Sequence, residues 1–99
     1  MDTNQFTIKT QEVLQQAQEI ASENNNPTIE NAHLLKSIFI KDTDVVPYLI
    51  NQNNINLQLI KDATNRIVEN QPKVSGGQLY LGQKAQETLQ LASKYAKEN

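Results

Sequence analysis

An all-α fold is what this 99-residue sequence predicts, and three observations carry it. Apolar residues recur every three to four positions in five successive stretches, the spacing of one face of a helix. No stretch sustains the apolar–polar alternation of a half-buried strand. The opening of the chain also returns near its end. At an offset of 75 positions, Lys9/Lys84, Gln11/Gln86, Glu12/Glu87, Leu14/Leu89, Gln15/Gln90, Ala17/Ala92, Ala21/Ala96 and Asn24/Asn99 are identical pairs, with the apolar stripe in register. A duplicated helical unit leaves that signature. Two unrelated Gln-rich amphipathic helices can also share it, and the residues alone leave both readings open.

The first helix is predicted over about 7–24, following Phe6, with Thr7 as its N-cap and Thr10, Val13, Leu14, Ala17 and Ala21 on its inner stripe. Asn24-Asn25-Asn26-Pro27 stops it, because proline forces the residue before it into extended geometry. A short, heavily apolar central helix follows over about 28–40. Thr28 is its expected N-cap, and Glu30 places negative charge at the positive end of the helix dipole. Ala32, Leu35, Ile38 and Phe39 form its stripe, which Leu34 widens, so neighbouring helices must cover more than one side.

Lys41 to Asp44 reads as a turn, and Asp44 as the cap of a third helix over 45–52, with Pro47 tolerated in its first turn. Val46, Leu49 and Ile50 are its expected inner residues. Asn53-Asn54 is the kind of pair that ends a helix in left-handed geometry. Asn56 then N-caps a fourth helix, about 56–70, striped by Leu59, Ile60, Ala63, Ile67 and Val68 and ended by Pro72. Residues 73–79 hold two of the three glycines and read as a flexible linker. A fifth helix lies within 80–99, beginning near Gly82, with Ala85, Leu89, Ala92 and Ala96 on one face and Thr88, Leu91 and Tyr95 alongside. The expected organisation is a first unit over 1–72, the linker 73–79, and the first helix of an incomplete second unit over 80–99.

Composition removes most chemistries. Net charge is −2 and Arg66 is the only arginine, so no basic block exists to neutralise nucleic-acid phosphates or an anionic membrane. Helix four sets Lys61 and Arg66 against Asp62 and Glu69, which is no DNA-recognition face. The absence of cysteine excludes disulfides, thiolate nucleophiles and Cys-ligated metals, and is compatible with a reducing cytoplasm. The opening residues lack the basic and apolar regions of a signal peptide, so a cytoplasmic location is expected. His33, the only histidine, stands among leucines and reads as a core or boundary residue bonded to backbone rather than as a catalyst or ligand. Asp42 with Asp44 lacks EF-hand spacing, and Ser75-Gly76-Gly77 lacks the phosphate-loop pattern. Glu12, Glu19 and Glu23 read as a solvated face. No catalytic residue, cofactor or metal is expected. Twelve Asn and twelve Gln make much of the surface polar without charge.

Three motifs in order resemble a known family: Phe6-Thr7-x-Lys9-x-Gln11-Glu12-x-Leu14-x-x-Ala17, Ile29-Glu30-x-x-His33-Leu34-Leu35, and Pro72-Lys73-Val74-Ser75-Gly76-Gly77-Gln78-x-Tyr80-Leu81. Together they are similar to the N-terminal domain of the Clp unfoldases, and the third resembles the ClpB protein disaggregases. The resemblance implies a pseudo-duplicate of two four-helix units, the second here truncated after its first helix. It implies a domain linked flexibly to a hexameric AAA+ ring that uses ATP and Mg in the full-length proteins. The implied work is capture of apolar segments of unfolded or aggregated polypeptides, with Thr7, Leu91 and Tyr95 as the matching groove positions. Tyr95 stands where the disaggregases commonly have leucine. The alternative within the family is docking of a folded adaptor, as in the related protease unfoldases.

An apolar peptide covering about 200 Å² of such a face gains about 5 kcal/mol gross at about 25 cal/mol per Å². Association entropy consumes most of that, so weak, promiscuous capture is the expectation. Leu91 and Tyr95 can instead simply pack on other helices. The last helix, lacking later partners, is expected to dock on the first unit, stay mobile, or pair with another copy in a dimer.

Overall fold

The computed structural model describes residues 8–98, and side chains through Lys94. Thr7, the expected cap of the first helix, therefore lies outside the described residues. Five helices follow in order: α1 (Ile8–Glu23), α2 (Asn31–Lys41), α3 (Val45–Gln52), α4 (Leu57–Glu69) and α5 (Gln83–Glu98). The fold is all-α apart from one two-residue pair of parallel strands, β1 (Thr28–Ile29) and β2 (Tyr80–Leu81), with Thr28 opposite Tyr80 and Ile29 opposite Leu81.

That pair corrects the start of the central helix. Thr28 does not cap α2; it lies in β1, and α2 begins three residues later with Glu30 at the N-cap position. The Glu30 N–H donates to His33 Nδ1 at 2.8 Å, which fixes the chain entering the helix. The extended geometry that Pro27 imposes on its neighbourhood continues through Thr28 and Ile29 because β2 supplies hydrogen-bond partners there. Tyr80 N–H donates to Pro27 O at 3.0 Å and Gly82 N–H to Ile29 O at 2.9 Å.

α2 is the helix against which α1, α4 and α5 all pack. Its buried residues are His33, Leu34, Ser37 and Phe39; of the expected stripe Phe39 is buried, as is Leu34 beside it, while Ala32, Leu35 and Ile38 are only half-buried. The polar members are satisfied: Ser37 Oγ donates to Val13 O of α1, and both ring nitrogens of His33 are bonded. A core cluster of Ala17, Leu34, Ala85 and Leu89, joined by Leu14 and Ile29, ties α1, α2, β1 and α5 together.

The cap of α3 also departs from expectation. Asp44 makes no side-chain cap bond; Asp42 reaches forward instead, its carboxylate accepting the N–H groups of Asp44, Val45 and Val46 at 2.9–3.0 Å. Those three donors hold the Asp42 carboxyl below its ordinary pKa. α3 ends as the asparagines suggest, with Asn54 at φ 59°. Asn56 caps α4 by accepting the Leu59 N–H at 3.2 Å.

Candidate functional site

Two features set the geometry at the end of the chain: a polar clasp around His33 and the docking of α5. The clasp grows from the three asparagines that end α1. Asn25 turns the chain in left-handed geometry at φ 57°, which asparagine tolerates. That turn points Asn24 and Asn26 inward. Asn26 Oδ1 meets His33 Nε2 at 2.8 Å and also accepts from Asn24 Nδ2 at 3.0 Å. Because His33 Nδ1 accepts the Glu30 N–H, Nε2 must carry the ring proton and donate to Asn26. Asn26 Nδ2 donates to Pro72 O and Asn24 Nδ2 to Val68 O, both at 2.9 Å. His33 is fully buried with its polar atoms paired, as a structural histidine should be. Burial pushes its pKa below the ordinary 6.5, with the nearby Glu30 carboxylate acting in the opposite sense.

The clasp also reaches the start of the expected linker, 73–79. Lys73 Nζ donates to Asn24 O at 3.0 Å, a cation on the C-terminal carbonyls of α1. Val74 N–H donates to Asn25 O at 2.8 Å. Gly76 and Gly77 both take positive φ, 72° and 96°, so glycine is needed there for the turn itself.

α5 docks through Gly82, Ala85, Leu89 and Ser93, a line with a period near four. Gly82 lies in close approach to the Glu30 side chain. A Cβ there would stand 2.5 Å from Glu30 Oε1 and 2.7 Å from Oε2. Thr28 Oγ1 holds that carboxylate by donating to Oε2 at 2.6 Å. The buried line differs from the expected one at Ala92, which is exposed, whereas Ser93 is buried. Leu34 of α2 packs in one cluster with Ala85 and Leu89, and Ala92 lies outside it.

The three expected site residues therefore stand as follows. Leu91 is on the uncovered side of α5, 53% exposed, beside exposed Thr88 and Ala92. Tyr95 lies in α5, and its side chain is outside the described region, as is Thr7 altogether. The repeat offset makes the contrast between the two helices concrete. Ala17 is buried against Leu34, and its counterpart Ala92 is bare.

A shallow hollow of about 500 Å³ lies between α2, α4 and the first turn of α5, with Ala32, Leu35 and Ile67 as its apolar floor and Glu30 and Lys84 at its edge. The sequence contained its only signal: Leu35 and Ile67 belong to apolar stripes whose outer margins the packing leaves uncovered. Among the described residues there is no group of three or more side chains able to hold a metal ion. None of the described helices is long and apolar enough to cross a membrane.

Comparison with known proteins places this arrangement in a family. The model of the Clp repeat (R) N-terminal domain matches residues 5–99. The chain is 35% identical over 98 residues to chaperone protein ClpB of Bacteroides thetaiotaomicron, covering 99% of this chain and 11% of that protein. It is 35% identical over 96 residues to ClpB of Porphyromonas gingivalis, with 97% and 11% covered. Against ClpB of Rickettsia conorii it is 33% identical over 102 residues, with 100% and 12% covered. The chain thus spans about a ninth of the length of these relatives. No solved structure matches it significantly. With the match running over nearly every residue, through the α1 repeat, the Glu30–His33 entry to α2 and the Pro72–Leu81 connection, the chain belongs to the Clp N-terminal repeat domain family.

Proposed function

We propose that this chain is the N-terminal substrate-recruitment domain of a ClpB-type protein disaggregase, binding exposed apolar segments of unfolded or aggregated proteins. The observation that carries the proposal is the two-faced character of α5. One face is locked onto the first unit by Gly82, Ala85 and Leu89, and the other presents Leu91 beside Thr88 and Ala92 to solvent. Thr7 and Tyr95 complete the proposed contact set. Ala17 of α1, the counterpart of Ala92, is buried in one cluster with Leu34 of α2, which supports reading α5 as the first helix of a second unit.

In this reading the domain is not itself an enzyme. ATP and Mg belong to the ring of the full-length protein, and the location is cytoplasmic. Capture is weak because the apolar area is small and association entropy offsets most of its gain. The test is titration of the chain with a reduced, alkylated, permanently unfolded protein, followed by fluorescence anisotropy. Binding in the micromolar range or weaker, reduced several-fold by Leu91→Asp, is expected. No binding at millimolar concentration, or identical binding by Leu91→Asp, would refute it. Tight capture of one folded partner with indifference to unfolded chains would transfer the assignment to adaptor docking.

A further inference from the structure

α3 is built unlike the other helices. Six of its eight residues, Val45 to Ile50, are apolar or proline, yet none is buried. Val45, Tyr48 and Leu49, at i, i+3 and i+4, form one face and are 62%, 61% and 52% exposed. Ile55 extends the apolar surface past the end of the helix, its N–H bonded to Ile50 O at 3.2 Å, and is 47% exposed. Leu59, one turn further on in α4, is 64% exposed. α3 rests on α2 and α4, with Val46, Pro47 and Ile50 half-buried, and both of its ends are tied by hydrogen bonds. Asp42 takes three N–H groups at its start, and Asn53 and left-handed Asn54 close it. The fold therefore holds α3 by hydrogen bonds at its termini and by half-burying Val46, Pro47 and Ile50, and leaves the Val45–Tyr48–Leu49 face open.

From this we infer that the α3 face is a second contact surface for client polypeptide, fitted to short, uncharged apolar segments. Two properties select that occupant. The exposed parts of the five residues amount to roughly 400–500 Å², short of the ~800 Å² a side that a stable folded interface needs. A second copy of this chain or a folded partner is therefore poorly matched, and a segment of several residues is well matched. The C-terminal rim is made of the exposed amides Asn51, Gln52 and Asn54, which can both donate to and accept from a peptide backbone. Charge enters at the opposite end, at Asp44 and at Asp42, whose oxygens are already engaged, and at Asp62, one turn beyond Leu59, which accepts from Gln58. A neutral rim offers no reward for a charged ligand, so binding here is insensitive to salt. The inference rests on the recruitment reading for the class of occupant, but it uses a face that shares no residue with α5.

The probe is an acetylated, amidated eight-residue peptide of leucine and glutamine, titrated into isotope-labelled protein and followed by amide chemical shifts. Expected are saturable shifts at Val45, Val46, Tyr48, Leu49, Ile50 and Ile55, with affinity changing less than twofold between 50 and 500 mM salt. Tyr48→Lys should weaken these shifts at least tenfold. Its site is exposed, so folding is preserved, and far-UV circular dichroism checks this. Leu91→Asp should leave them unchanged. If the α3 shifts persist while α5 never responds, the inference stands and the role given to Leu91 falls. Shifts confined to α5, an unchanged response in Tyr48→Lys, or a strongly salt-dependent response would overturn it. So would a concentration-dependent dimer abolished by Tyr48→Lys, which would assign the face to a second copy.

Discussion

Replacing His33 by leucine keeps the bulk of a fully buried side chain and removes both of its hydrogen bonds. The Glu30 N–H loses its acceptor at the entry to α2, a loss of about 1–3 kcal/mol for a polar group left unpaired. Asn26 Oδ1 keeps the bond from Asn24 and loses one donor, worth about 1 kcal/mol net. The sum, roughly 2–4 kcal/mol, is a large part of the stability of so small a domain. Followed by circular dichroism at pH 7.5, urea unfolding should move to a midpoint about 1.3–2.7 M lower, at a slope of about 1.5 kcal/mol per M.

The acid limb provides a second readout. The native pKa of His33 lies below its ordinary 6.5, so the unfolded chain binds the extra proton first as pH falls. The neutral-histidine contribution is complete above pH 6.5, declines below it, and levels off once pH passes the depressed native value. This decline should vanish in His33→Leu. A variant within about 0.5 kcal/mol of wild type, or one retaining the same acid slope, would refute the assignment of the clasp to His33.

Other substitutions probe other joints. Gly82→Ala puts a Cβ 2.5 Å from Glu30 Oε1, so the Glu30 side chain must swing aside and give up its bond from Thr28, a cost of about 1 kcal/mol; most of this should be recovered in a Glu30→Ala background, as measured by a double-mutant cycle. Leu89→Ala empties the contact between α5 and the first unit and should cost about 2–5 kcal/mol in thermal or urea unfolding. Asn54→Ala forces a Cβ-bearing residue without a tolerant side chain to φ 59° and should cost about 1 kcal/mol, whereas Asn54→Gly should not. Asp42→Asn weakens the cap on three α3 amides, so hydrogen exchange at Val45 and Val46 should accelerate while α1 and α2 stay protected.

Helix positions were legible because local chemistry agreed with the fold. Asn56 caps α4, Asn54 ends α3, and the Pro27 stop falls between α1 and α2. What the chain kept hidden depends on partners distant in sequence. Thr28 is a good capping residue, and nothing near it announces that Tyr80 will take it into a strand. Ser93 and Ala92 are neighbours of similar size, and which of them is buried depends on how α5 sits against the rest of the fold. Lys73 and Val74 read as linker because their partners, Asn24 and Asn25, lie 49 residues away. The structural role of His33 could be seen in its leucine surroundings, but its link to Asn26 required the left-handed turn at Asn25. Leu91 was legible as an apolar residue beside the main stripe, and it is exposed there.

The pairing of Thr28 with Tyr80 also sets an order of events in time. Closing a chain segment of about 50 residues costs about 3.5 kcal/mol of loop entropy, returned only when the far end has something to bind. α1, α2 and α4 can assemble through nearer contacts and create that landing place first. α5 should then arrive late and depart early. Tyr80 and Gly82 should lose amide protection at a lower free energy than Ala17 or Leu34, so the last helix can lift away while the earlier four stay together.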